Sequence, residues 1–145
     1  MPRIVIQLPP RFAFTTEIPV YVGHINYGGH LDNAAMLSLV SEARVRFLAS
    51  LGYTERDVEG LGIIVADAAI RYRSEVTCGE VLVFEMIATD LNSYGCDLVY
   101  RVTEKASGRE VAEGKTGIVF FDYAAHKPAL VPGGFLARIG DALVF

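Results

Sequence analysis

The chain has 145 residues, 52% of them hydrophobic, with a mean hydropathy of +0.34 and a formal net charge of −4. That size fits one domain over residues 1–145 with a real core, and the hydrophobic content argues against disorder. The acidic balance gives no support to nucleic-acid binding, and no apolar run approaches the roughly 18 to 20 residues that a bilayer span needs.

The opening MPRIVIQLPPRF has too short an apolar part for a signal peptide. Residues 12–22 read as a strand in which Pro19 marks an edge or a bulge. A polar, glycine-rich loop follows and runs directly into a long apolar segment, together YVGHINYGGHLDNAAMLSLVSE over residues 21–42. Glycines such as Gly28 and Gly29 let backbone amides approach a ligand without a Cβ in the way. Asp32 and Asn33 supply N-cap chemistry, so a helix is expected to begin there and to run to about Leu51. Leu37, Val40, Ala43, Phe47, Leu48 and Leu51 recur at helical spacing, and Ala35, Leu39, Val45 and Ala49 add apolar positions off that stripe. Such a helix should be wrapped on most sides.

Gly52, Tyr53 and the charged residues 54–59 read as a turn with room for a short helix. From Gly62 the pattern changes: residues 63–73, 80–90, 94–104 and 109–122 are long and rich in β-branched and aromatic residues. Turn signals at 90–93 and 105–108 separate the last three. The expected order is strand, long helix, then an antiparallel meander of about four strands, an α+β arrangement of one curved sheet around one helix. Cys78 and Cys96 lack metal-type spacing and read as separate thiols, which fits a reducing, cytoplasmic setting. The tail carries Pro128, Pro132, Gly133 and Gly134 and ends in FLARIGDALVF, an amphipathic segment expected to pack on the sheet or on another subunit.

The loop is where chemistry is expected. Exposed N–H groups at a helix start can polarise a carbonyl, and Asn26, His30 and Asp32 stand close by in sequence. His30 could equally cap the loop through backbone carbonyls, and His24 reads as a structural loop residue. His24, His30 and Asp32 match no zinc spacing, so neither a metal nor a cofactor is expected. No Walker motif, dinucleotide fingerprint, nucleophile elbow or zinc-protease helix is present. Asp67, inside an apolar strand, faces either the site or a subunit interface.

The segment Gly29-His30-Leu31-Asp32-Asn33, entering a helix with Glu42-Ala43-Arg44, together with the element order, resembles the hotdog-fold thioesterases related to 4-hydroxybenzoyl-CoA thioesterase and to acyl-acyl-carrier-protein thioesterases. The resemblance covers residues 12–123 and implies a hotdog fold that hydrolyses an acyl-CoA or acyl-carrier-protein thioester. Many relatives carry D-x-D-x-x-G-H-x-N-N, and here His24 and Asn26 stand at the two aspartates, the second of which serves those enzymes as nucleophile or base. An amide is not a base near neutral pH, so Asn26 can only orient a water or bond the substrate. The proton acceptor must then be His30 or one of three carboxylates, Asp32, Glu42 or Glu75. The segment Arg71-Tyr72-Arg73-Ser74-Glu75 is similar to the part of plant carrier-protein thioesterases that contributes a catalytic glutamate, whereas Glu42 has an equally simple role as an ion pair with Arg46.

The resemblance further implies that N–H groups around Gly29 and Leu31, at the helix start by Asn33, hold the acyl carbonyl. Arg71 and Arg73, alternating with Ile70 and Tyr72, share one face and could hold coenzyme A or phosphopantetheine phosphates or be ordinary solvated residues; Ser93 could bond the pantetheine, and the resemblance implies a homodimer or homotetramer with the pocket between subunits. The competing class is a non-catalytic acyl-CoA-binding hotdog protein, favoured by Asn26.

Overall fold

A computed structural model describes residues 3–140 and the backbone of residues 143 and 144. Strand β1 (Phe14–Pro19) and a 3-10 turn (Val22–His24) lead through the loop to helix α1 (Asn33–Ser50). Strands β2 (Gly62–Tyr72), β3 (Val81–Thr89), β4 (Gly95–Glu104) and β5 (Glu110–Asp122) follow. Their order across the sheet is β1-β3-β4-β5-β2, all antiparallel, so β1 and β2 are the two edges of this path. Two short pieces are added: β6 (Lys127–Pro128) on β5 and β7 (Leu143–Val144) on β3. The hotdog arrangement of one long helix against one curved antiparallel sheet is the one expected, and Pro19 ends an edge strand where its missing N–H costs no ladder bond.

The helix begins where its cap lies. Asp32 Oδ2 accepts from the amides of Ala34 and Ala35 at 3.0 and 3.2 Å, a contact that stabilises a helix by about 1 kcal/mol. Its inner face carries Met36, Leu39, Val40, Ala43, Phe47 and Leu48, all buried against Leu82, Phe84 and Met86 of β3 and Leu98 and Tyr100 of β4 within one core. Phe47 meets Phe14 edge-on, centroids 5.5 Å apart.

Two details differ from the expectation. Leu37 and Val45 are 42% and 44% exposed, so one face of the helix is open rather than wrapped. The inward face keeps Val40, Ala43, Phe47 and Leu48 of the expected stripe, has Met36 in place of Leu37, and includes Arg44, whose buried guanidinium pairs with Glu55 and Ser41. Residues 54–61 form two turns closed by the bridges Thr54 to Asp57 and Val58 to Leu61, with no helix.

Of the C-terminal segment, α2 (Gly133–Arg138) packs on the end of the sheet. Phe135 is buried 4.9 Å from the Phe120 ring, and Arg138 donates to the Leu51 carbonyl at the end of α1. Residues 141, 142 and 145 lie outside the described residues. Cys78 is an exposed turn residue and Cys96 a buried one in β4. No helix among the described residues is long and apolar enough to cross a membrane.

Candidate active site

The loop from Ile25 to Asp32 is held mainly by its own polar groups. Asn26 is the hub: its Oδ1 accepts from the amides of Gly28 and His30 at 3.0 and 3.3 Å, and its backbone bonds His30 and Gly29. Gly29 sits at φ +86°, a left-handed conformation that a side chain would strain. The Asp32 amide donates back to His24, closing the loop.

A second segment meets this loop. Residues 73–80, between β2 and β3, have no regular secondary structure, and the Leu31 amide donates to the Val76 carbonyl at 2.8 Å. His30 Nε2 then lies 3.0 Å from Glu75 Oε2. A cleft of about 330 Å³ opens where the segments join, lined by Asn26, His30, Asn33, Met36, Tyr72 and Glu75 among others. Met36, Leu31 and Val76 supply its apolar floor and are buried. Tyr72, at the end of β2, donates through its hydroxyl to the Asn33 carbonyl at 3.0 Å and so fixes the helix start to the sheet. Burial, reinforced by the charge of Asp32, pushes that hydroxyl above its ordinary value and keeps it a donor.

The amides along this stretch can be accounted for one by one. Those of Gly28 and His30 are spent on Asn26 Oδ1, Gly29 on the Asn26 carbonyl and Leu31 on Val76. Asp32 donates to His24, Ala34 and Ala35 to the Asp32 carboxylate, and Met36 to the Asp32 carbonyl. Among the described residues, the Asn33 N–H alone in residues 28–36 has no partner within the protein. The carbonyl-binding amides expected around Gly29 and Leu31 are therefore already engaged, and the unspent donor is the first helical N–H, where the helix dipole favours negative charge. The Asn26 side-chain NH₂ likewise has no partner among the described residues.

The other residues singled out in the sequence divide between this cleft and places elsewhere. Asp32 caps the helix through Oδ2 and is not among the residues that line the cleft. Glu42 lies beside a different groove, with Ile18, Tyr21, His24 and Leu39, and pairs with Arg46 at 3.7 Å. Arg73 borders the cleft, but it is tied to Glu110 at 3.1 Å and to Glu113 at 3.3 Å, and Arg71 to Glu113 at 3.6 Å. Ser93 is at the other end of the sheet: β4 begins beside it with Gly95 opposite Val119 of β5, whereas Tyr72 at the cleft is opposite Ala112. Those seven residues of strand amount to roughly 23 Å, so one protomer does not bring Ser93 to the cleft. Asp67 is exposed and pairs with Lys115 at 2.8 Å on the sheet surface. Among the described residues no cluster of His, Cys, Asp and Glu is arranged to hold a metal. Tyr72, Met36 and Val76 were not foreseen, because only the approach of the 73–80 segment makes them neighbours of the loop.

Residues 20–139 match the sequence pattern of the thioesterase-like superfamily. Among solved structures, a putative thioesterase from Pseudomonas aeruginosa is 25% identical with a TM-score of 0.81, over 89% of this chain and 99% of that one. A 1,4-dihydroxy-2-naphthoyl-CoA thioesterase from Synechocystis is 21% identical, TM-score 0.81, over 88% and 96%. A Staphylococcus aureus protein solved in complex with CoA is 17% identical, TM-score 0.82, over 95% and 87%. No match was found among curated proteins.

Proposed function

From the premise that the chain belongs to the thioesterase-like superfamily, we propose that it hydrolyses an acyl-CoA thioester in the cleft between the loop and the 73–80 segment. The observation that carries this reading is the unspent Asn33 amide at a helix start, bordering the same cleft as the His30–Glu75 pair. The acyl oxygen accepts from the Asn33 N–H and from the Asn26 NH₂. Both donors strengthen as charge builds on that oxygen in the transition state.

His30 is the proton acceptor. Glu75 accepts from its Nε2–H, which leaves Nδ1 as the basic nitrogen and stabilises the imidazolium once it forms. Water loses a proton to Nδ1 as its oxygen bonds to the acyl carbon, and the carbon–sulfur bond then breaks. The thiolate leaves without a strong acid, because thiols are far more acidic than alcohols, and the imidazolium returns its proton to it. Coenzyme A is favoured as the donor by the Staphylococcus aureus structure, whose fold this chain shares and which holds CoA.

The protein works as a homodimer in this reading. Strand β2 is a sheet edge of eleven residues whose middle, residues 65–68, is exposed, and such an edge invites pairing with a second copy. The cleft lies at the end of that strand, so a partner would border it. Sedimentation at micromolar concentration is expected to give a dimer, and a monomer would refute the pairing.

A second reading keeps one observation on its side: Asn26 replaces the carboxylate of many relatives, as in a hotdog protein that binds acyl-CoA without cleaving it. Assay of the purified protein against a panel of acyl-CoAs with thiol detection separates the two. Hydrolysis predicts CoA release at steady state, and saturable binding with no thiol released would establish the binder.

A further inference from the structure

We infer that Arg109 is a positioning residue for the reaction, a clamp that holds the segment carrying Glu75 so that its carboxylate meets His30. This inference rests on the role given above to the His30–Glu75 pair. Glu75 needs such help: its side chain is 75% exposed, and its carboxylate touches the protein only at His30 among the described contacts. Its position is therefore set by its backbone, in an irregular segment that the amides of Arg73 and Ser74 tie to the Val111 carbonyl and that the Val76 carbonyl ties to the loop, while the Glu75 carbonyl between them is held by a side chain.

One guanidinium holds this segment at three points. Arg109 Nε donates to Ser74 Oγ at 3.2 Å, and Nη2 donates to the Glu75 carbonyl at 3.0 Å and to both Glu80 oxygens at 3.1 Å. The contacts continue on either side. Ser74 Oγ donates to the Glu110 carbonyl at 2.6 Å, and Glu80 Oε1 accepts from the Thr77 amide at 2.8 Å. The Thr77 amide foremost, with Arg109 also contributing, holds the Glu80 carboxyl below the ordinary carboxylate range, so it stays an anion facing the clamp. The base of the clamp is fixed as well. Arg109 leaves the β4–β5 turn, where Glu104 accepts from the amides of Ala106 and Ser107 and from the Ser107 hydroxyl, and its own amide donates to Ser107 Oγ.

An ordinary surface ion pair with Glu80 would need only a positive charge. Bonding a hydroxyl, a peptide carbonyl and a carboxylate together needs the planar fork of arginine, which the single ammonium of lysine cannot reproduce. Arg109→Lys should therefore lower kcat about tenfold while leaving KM for acyl-CoA within about twofold, since small misplacement of a reacting group is costly to the chemical step. Ser74→Ala should lower kcat in the same direction by about threefold, and it serves if the lysine variant folds poorly. Arg101→Lys, which loosens a comparably exposed fork on Glu85 away from the cleft, should leave kcat unchanged.

The decisive readout is the double variant. If Arg109 acts through Glu75, Arg109→Lys added to Glu75→Gln costs nothing further in kcat. Additive losses, or a fall in melting temperature with kcat intact, would overturn the clamp. Glu75→Gln alone with wild-type kcat would instead refute the His30–Glu75 reading, and with it the premise of the clamp.

Discussion

Two grooves flank the β1–α1 loop, each with a histidine, a glutamate and an arginine, and they differ in what their polar groups have left to offer. On one side His24 Nδ1 accepts from the Tyr21 amide, Glu42 pairs with Arg46, and Arg46 also donates to Thr16 and to the Glu17 carbonyl. Arg46 thereby staples the helix to β1. On the other side His30 and Glu75 meet across two chain segments, while the Asn33 amide and the Asn26 NH₂ have no partner among the described residues. Residue types alone do not separate the grooves. The Asn33 amide and the Asn26 NH₂ do, because a bound carbonyl can complete both and no group among the described residues does so.

The largest expected effect tests the donor side of that contrast. Asn26→Asp keeps the acceptor oxygen that holds Gly28 and His30 but replaces the NH₂ with a second anionic oxygen, so the loop should survive and the carbonyl should be repelled. We expect kcat to fall about a hundredfold, on the scale of a lost oxyanion donor, with melting temperature nearly unchanged. A gain in activity would show that the position serves as a carboxylate base when it can. The smallest expected effect lies in the opposite groove. Glu42→Gln removes one arm of a half-exposed i,i+4 pair, a contact that contributes about 0.3 to 0.5 kcal/mol, and kcat should stay within about twofold. A loss as large as that of Asn26→Asp would make Glu42 part of the chemistry and erase the distinction between the grooves.

The fold is legible in the sequence where a pattern is local. Asp32 was legible as the cap, and the strands after Gly62 announced themselves by β-branched and aromatic runs between turn signals. The helix face is less legible. Apolar residues lie on nearly every side of α1, so periodicity could not decide between Leu37 and Met36, and only the sheet beneath made that choice. Which loop donors are left unspent was illegible for a different reason. Whether the Leu31 amide is spent depends on Val76, 45 positions away, and whether the His30 amide is spent depends on the rotamer of Asn26. Glu75 and Glu42 could be separated only once the 73–80 segment was seen to cross the loop. Arg109 carried no motif at all; its contacts converge on residues 29 to 35 positions earlier in the chain.

Whether the Asn33 amide receives the acyl oxygen beside His30 is open to direct observation in a crystal structure with a ketone analogue of acyl-CoA in which a methylene separates the carbonyl from sulfur. The ketone oxygen is expected within hydrogen-bonding distance of Asn33 N and Asn26 Nδ2, with His30 facing the carbonyl carbon. A ketone seated in the groove of His24 and Glu42, with the Asn33 amide untouched, would contradict it.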